Sequence, residues 1–584
     1  MQNETEKSLN VWCQQLIIAL CAVVPFLPAL FYGYVYDDAQ HILKNQLIGR
    51  NFDLLSTLLS PTWPGNLYRP VLTLSFQLNY LLSGFSPGTY HLLNILLHMF
   101  VSLLVYELMT LLQQRLTALI VAVLFALHPA HLEVIANVAF RAESLATLGV
   151  LATLTVALSA SLAVTSPSAQ KTQLPTMRSA LLAIFSASLA FFSKENACVL
   201  LLLMPLCLWW RYQKTSHFLK LTAFWLCLIL IPFGLYLTLR IETLSGVIQL
   251  DHTISYVENF LLFSAGLERV LYACLLLGKY FALFLFPFPP RADYSFAALV
   301  PFTQMPVAEI LICAGLFLVI FLSAVIGMLR ARSYGFFAAW FLLSFILTCN
   351  LLFPIGVIYA ERLIYLPSVG LAGLAGIIIT NFPRKLTIHL LTSLISMLYF
   401  VVIARTLPSW TSDQHFWERQ LELTPESSKV QANLGSVYFK AAQYERAVIR
   451  FEKALEIYPG NAQVVLLLAR SYQLSGRYGD AQNIYARLTA KNPNSALAVD
   501  GLGWAKLGLK QYQAADVFFH QALQLDPQML ASQIGLFASA VEAKDYRRAQ
   551  SEEQKLSAAA RLDLRYREAK KKFDLLRTTS RLQP

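Results

Sequence analysis

The hydrophobic pattern divides the chain near residue 405. Before that point, apolar runs approach the roughly 20 residues that a membrane-spanning helix needs. They lie at 12–34, 90–111, 116–134, 143–165, 178–193, 196–210, 217–239, 266–287, 306–328, 335–353, 361–381 and 386–404. From 406 to 584 charged and apolar residues mix as in an ordinary water-soluble protein. The pattern predicts an all-α fold: a polytopic membrane helix bundle over 1–405, then a soluble helical unit. Composition agrees, since 56% hydrophobic and 14% charged residues are too apolar for a soluble chain of 584.

The soluble part repeats. Pro425, Pro459, Pro493 and Pro527 stand 34 residues apart, as do Tyr444, Tyr478, Tyr512 and Tyr546, and Ala447, Ala481, Ala515 and Ala549. Leu434, Leu468 and Leu502 keep the step, and so do Phe451, Tyr485 and Phe519. A 34-residue helix-turn-helix period with fixed small and aromatic positions predicts a tetratricopeptide α-solenoid. Proline closes each unit because it cannot continue the second helix. The division is therefore 1–405 membrane domain, 406–426 linker, 427–562 repeats, and 563–584 basic capping helix or tail. The fourth unit, about 529–562, is weaker and is expected to merge with that cap.

Charge orients the membrane part. The connections near 112–115, 166–178, 211–220, 329–334 and 382–385 carry Arg115, Lys171, Arg178, Arg211, Lys214, Lys220, Arg330, Arg332, Arg384 and Lys385, and no acidic residue. The positive-inside rule places these five together on the cytoplasmic side. The opposite face then holds Asp37, Asp38, Glu133, Arg141, Glu143, Lys194, Glu195, Arg240, Asp293, Glu361 and Arg362. Twelve full crossings break this alternation after residue 240. Eleven restore it if one segment between 240 and 305 does not cross, and thirteen if 253–265 adds a crossing. Either count leaves the N-terminus cytoplasmic and the repeats outside the cytoplasm. The net charge of +12 lies partly in these loops and partly in the tail, so it is no nucleic-acid footprint. All eight cysteines fall in apolar segments without a CxxC pair and read as small hydrophobes. The first run has no A-x-A cleavage pattern and is expected to stay as an anchor.

Candidate chemistry begins with Tyr36-Asp37-Asp38-Ala39-Gln40-His41, just beyond the first apolar run. Two carboxylates at a helix mouth suit acid–base work, although solvated flanks also look like this. The first external segment, 35–89, alternates amphipathic stretches with turn signals such as Trp63-Pro64-Gly65, and contains Tyr68-Arg69-Pro70. His91, Asn94 and His98 share one helix face, where interhelical hydrogen bonding competes with substrate contact. His128, His131 and Glu133 are expected to shape a polar pocket and pair with Arg141; the spacing is not that of a zinc protease. Lys194-Glu195 and Glu361-Arg362 bring further charge to the same face, and Arg362 and Tyr365, one turn apart, could meet one anion. A carboxylate base beside several cations is what a phosphate-bearing donor needs.

These motifs, in this order and with the repeats behind them, resemble the transmembrane-and-tetratricopeptide-repeat O-mannosyltransferase family and its bacterial relatives. The motifs that carry the resemblance are Tyr36-Asp37-Asp38, Tyr68-Arg69-Pro70, Tyr90-His91-Leu92-Leu93-Asn94, His128-Pro129-x-His131-x-Glu133 with Arg141-x-Glu143, Ser193-Lys194-Glu195, Asp293-Tyr294-Ser295 and Glu361-Arg362-x-x-Tyr365-Leu366-Pro367. The resemblance implies the multispan C-type glycosyltransferase fold, a polyprenyl-phosphate-linked sugar donor, and inverting transfer to a protein hydroxyl on the luminal or periplasmic side. It carries the acid/base role to Asp37 or Asp38. The candidate substrate or phosphate contacts, read from the residues, are Tyr68, Arg69, His91, His128, His131, Glu133, Arg141, Glu143, Lys194, Glu195, Arg240, Glu361, Arg362 and Tyr365, of which Arg69, Lys194, Arg240 and Arg362 are expected to hold the phosphate. No metal ligand is assigned. The adjacent aspartates are not a spaced Asp-x-Asp, so metal dependence stays open, with metal-independent transfer favoured. The compact chain leaves mannose and dolichol open beside a bacterial undecaprenyl-phosphate donor.

The expected partners are the lipid-linked donor, a protein or peptide acceptor in the repeat groove, and membrane lipid. Two other readings compete. An O-antigen ligase or pilin oligosaccharide transferase would place its long external loop late, whereas here it comes first. A non-catalytic scaffold displaying the repeats would not need the aspartates.

Overall fold

The protein is described by a computed structural model, covering residues 2–49, 52–64, 67–165, 175–212, 217–245, 256–264, 266–301 and 304–580. Among them the secondary structure is helical, with two isolated β-bridges and no strand. The chain forms two compact units, Met1–Thr424 and Pro425–Pro584.

Among the described residues of the first unit, six helices are long and apolar enough to cross a membrane: Val11–Phe31, Pro87–Leu112, Val138–Ala163, His217–Thr243, Val307–Leu329 and Lys385–Thr411. A seventh is the pair Arg115–Ala126 and Pro129–Ala136, bent by 52°. The chain has the architecture of a multi-pass membrane protein. The count by length falls below the eleven to thirteen expected because polar residues and prolines shorten several apolar runs. Pro129 breaks the run 116–134, since it has no N–H and its ring disturbs the preceding turn. The run 178–193 is helical throughout, as Met177–Ser193, but short, and the runs 335–353 and 361–381 keep regular α-helix only at Ser333–Phe345 and Ser368–Thr380. Thirteen residues rise roughly 20 Å, about two-thirds of the hydrocarbon thickness. Lys171 and Lys214 lie outside the described residues, as do 253–255 and 265 of the extra crossing; its described part, 256–264, holds the three-residue helix Phe260–Leu262 and no span.

Small residues let these helices approach closely. A Cβ on Gly149 would stand 2.6 Å from both Ala190 N and Ser186 O on the neighbouring helix, where Thr153 and Ser186 hydroxyls also bond at 2.8 Å. Between apolar helices in lipid, such contact replaces the hydrophobic drive that water would supply. Gly149→Val should therefore cost about 1–3 kcal/mol of overpacking, read as a lower melting temperature of the detergent-solubilised protein. An unchanged melt would mean the two helices part without penalty.

The stretch read as a linker, 406–426, is ordered here. It continues the last long helix to Thr411 and then forms the helix Asp413–Leu423. Ser412 caps that helix through His415 N, and Trp410, Phe416, Trp417 and Gln420 are buried. Its aromatic side chains were apolar enough to pack, but too few to register as a span.

In the second unit the 34-residue step is kept to the residue. First helices begin at Ser428, Ala462, Ala496 and Leu530, and second helices at Tyr444, Tyr478, Tyr512 and Tyr546. Ser427, Asn461 and Ser495 cap the first three pairs by accepting from Val430, Val464 and Ala498 N–H groups. The repeated alanines 447, 481, 515 and 549 are all fully buried, with Phe451, Tyr485 and Phe519 packed beside them. The fourth pair is present, its second helix short (Tyr546–Lys555), and Leu564–Ser580 follows it. Phe573 of that last helix stacks on Tyr546 with centroids 5.4 Å apart.

Candidate active site

The acidic loop is held from several directions. His91 Nε2 lies 3.2 Å from Gly33 O, Asn137 donates to Val35 O at 3.1 Å, and Gly33 N donates to Thr411 O at 3.2 Å. Tyr36 takes a left-handed backbone conformation (φ 62°), rare for a bulky residue. Its N–H donates to Asp413 Oδ1 at 2.7 Å.

This anchoring separates the two aspartates. Asp38 is fully buried, and its carboxylate accepts from Val35 N at 3.1 Å and Ala139 N at 2.7 Å. Asp37 is half-buried, and among the described residues its carboxylate accepts no hydrogen bond. It lies within electrostatic reach of His41, Glu133 and Arg362. Burial pushes the Asp38 carboxyl up to about 8, against the two backbone N–H groups that favour its charged form. A folded-state value above that of the unfolded chain, about 4, gives stability that is complete below pH 4 and lost as pH rises toward 8. The melting temperature should fall by a few degrees from pH 5 to 8, and Asp38→Asn should flatten that slope even though it lowers the melt overall. A slope unchanged in the variant would assign it to other groups.

Three ion pairs surround the loop. Arg69 bonds Glu195 through two nitrogens, Nη2 at 2.5 Å and Nε at 2.9 Å. Lys194 pairs with Glu143, whose other oxygen accepts from Asn196 at 3.1 Å. Arg362 holds Glu133 by its guanidinium at 2.5 Å and its backbone N–H at 2.8 Å, and lies 4.1 Å over the Phe140 ring. Burial alone would lower Arg69, but Glu195 outweighs it and keeps the guanidinium above its ordinary value; Arg69 in turn holds Glu195 well below the carboxylate range. His41 lies within electrostatic reach of both Asp37 and Arg69, its protonation disfavoured mainly by burial. Arg240, half-buried, donates to Tyr236 OH at 3.2 Å and pairs with no carboxylate among the described residues. Tyr236 is also near Glu195, so Arg240 borders the Arg69 pair.

The structure thus gathers Asp37, Arg69, Glu133, Glu143, Lys194, Glu195, Arg240 and Arg362 at one end of the bundle. The other sequence candidates are engaged elsewhere. Arg141 does not pair with the histidines or Glu133. It is fully buried and donates to Asn94 Oδ1 (2.8 Å), Ser75 Oγ (3.1 Å) and Tyr90 O (3.0 Å). Tyr68 is buried with its hydroxyl on Leu58 O. His128 bonds Phe284 O and the Ala130 N–H, and His131 bonds the Ser368 hydroxyl. Tyr365 turns from Arg362 to His98 Nδ1 at 2.8 Å. Glu361 accepts from Arg291 N at 2.7 Å and Tyr294 OH at 2.6 Å. Among the described residues no three His, Cys, Asp or Glu side chains group as metal ligands.

Comparison with known proteins bears on both units. The tetratricopeptide repeat family matches residues 438–502. Protein O-mannosyl-transferase F38B6.6 of Caenorhabditis elegans is 25% identical over 467 residues, 77% of this chain and 63% of its own length. Protein O-mannosyl-transferase TMTC3 of Homo sapiens is 26% identical over 498 residues, 78% of this chain and 53% of its own. Protein O-mannosyl-transferase Tmtc1 of Drosophila melanogaster is 39% identical over a shorter stretch of 131 residues, 21% of this chain and 15% of its own. All three carry the same functional name. The chain spans 63% of the length of the Caenorhabditis elegans relative and 53% of that of the human one.

Sequence reasoning gave no role to His41, Asn196 or Asp413. His41 was legible in principle, being one helical turn from Asp37. Asp413 was not, because it lies 377 positions from the backbone it holds.

Proposed function

We propose that the chain is a membrane glycosyltransferase that transfers a mannose-like hexose from a polyprenyl-phosphate donor to a Ser or Thr hydroxyl of a protein, outside the cytoplasm. The observation that carries this reading is the difference between the aspartates: Asp38 is consumed by backbone N–H groups, while the half-buried Asp37 carboxylate accepts no hydrogen bond among the described residues and lies within electrostatic reach of Arg362 and His41. Asp37 takes the proton of the acceptor hydroxyl. The freed oxygen pair forms a bond to the anomeric carbon from the face opposite the phosphate, inverting it. The carbon–oxygen bond to phosphate breaks, and its electrons leave on the lipid phosphate. Arg240, which lacks a carboxylate partner among the described residues, with Arg69 and Arg362 beyond their ion pairs, would stabilise that phosphate. The names of the relatives support the sugar and the protein acceptor, and the repeats offer a surface for the acceptor. The cation-rich, acid-free connections support the non-cytoplasmic placement.

The test is transfer of labelled sugar from synthetic dolichyl- and undecaprenyl-phosphate mannose into protein, using membranes that contain the full chain. Mannose on Ser or Thr is the expected product. No transfer from either donor would overturn the reading in favour of a scaffold.

A further inference from the structure

The helix Asp413–Leu423 touches the site from outside the spans. Its first residue, Asp413, accepts the Tyr36 N–H at 2.7 Å. Tyr36 is the left-handed residue immediately before Asp37, a conformation that raises the energy by about 1–3 kcal/mol and persists only where surroundings enforce it. The helix also supplies the enclosure of the Tyr36 ring: Phe416 stacks on it at 5.6 Å and Trp417 meets it edge-on at 5.3 Å, with Phe140 at 6.1 Å on another side. Two residues before Asp413, Thr411 O accepts Gly33 N–H. Further along the helix, buried Gln420 accepts the Ala292 N–H at 3.0 Å, next to Arg291, whose own N–H bonds Glu361. One short helix therefore braces both the acidic loop and the segment beside Glu361-Arg362.

We infer that Asp413 is a positioning residue for Asp37: by accepting the Tyr36 N–H it locks the left-handed turn that presents the Asp37 carboxylate toward Arg362 and His41. Asp413 does not touch the reacting atoms. It is also a first-turn acid, which favours any helix N-terminus, so the inference requires an effect beyond helix stability. The acceptor oxygen, not the charge, does the positioning.

The inference rests on the proposed transfer reaction, and the test separates the two. Full-length Asp413→Ala and Asp413→Asn are compared with wild type for transfer kinetics, thermal melting, and backbone amide exchange over 33–41. Because a displacement of about 1 Å at a reacting group can lower a rate on the order of 100-fold, Asp413→Ala should lower kcat by roughly 10- to 100-fold with KM for the donor within about twofold. Amide exchange should accelerate at 36–41. Asp413→Asn, which keeps the oxygen, should recover most of both losses. Unchanged exchange in Asp413→Ala would overturn the inference, as would an Asn variant as damaged as the Ala variant, or a kcat loss explained by a lower melt. If wild type transfers nothing, the transfer reading fails, and the exchange measurement alone still decides whether Asp413 holds the loop.

Discussion

Asp37→Asn should lower sugar transfer by roughly 10²- to 10⁴-fold, the range for removing a positioned general base, while the protein folds and melts as wild type does. The asparagine keeps shape and loses only basicity, and no hydrogen bond from the described residues depends on the Asp37 carboxylate. Donor affinity should change little, so the loss should fall on kcat. Asp38→Asn should behave in the opposite way. One amide oxygen cannot serve both Val35 N and Ala139 N, and the amide nitrogen then faces a donor. Leaving a buried N–H without an acceptor costs about 1–3 kcal/mol, so this variant should show poor yield and a lower melt, with near-normal turnover in the fraction that folds. Equal catalytic loss in both, at equal stability, would remove the distinction between the aspartates.

The second large effect concerns Lys194 and Glu143. Their side chains are 9% and 4% exposed. Removing either partner strands a buried charge, which typically costs 3–5 kcal/mol, whereas replacing both with apolar residues of similar size is often neutral. Glu143→Leu should therefore sharply reduce the melting temperature, and Lys194→Met with Glu143→Leu should regain most of it. Activity in the double variant then reports on chemistry alone. Transfer restored with stability would mark the pair as architecture, and stable protein without transfer would mark it as part of donor binding. Two equally unstable single variants with no recovery in the double would show that the pair is not coupled.

How much was visible in the sequence follows from the range of the forces involved. The repeats were legible, because they rest on local signals recurring every 34 positions: a proline before each pair, a side-chain cap on the first three pairs, and a buried alanine in every second helix. The apolar runs were legible as helical, but their ends were not. A run of 19 apolar residues does not disclose that Pro129 bends it, or that 346–353 leaves the helix after Phe345. The charged members of the site were found because charge is costly to hold among apolar helices and so stands out in sequence. Their partners were hidden. Nothing in the spacing told Arg362 to choose Glu133, or Arg141 to settle on Asn94 and backbone oxygens, since those choices are made across bundle contacts between distant segments. For the same reason Asp37 and Asp38 were equivalent as neighbours in sequence and differ only once the backbone around 135–139 is folded against them.

The chain's division after Thr424 places the helix Asp413–Leu423 wholly with the membrane unit. That has a consequence for how such proteins can diversify. Among the described residues, the hydrogen bonds that hold the acidic loop, to His91, Asn137, Thr411 and Asp413, are made within that unit, so the shape of the loop is encoded before Pro425 and the 34-residue repeats are encoded after it. The number of repeats and the shape of the acidic loop are thus written in separate stretches of sequence and can evolve on separate clocks.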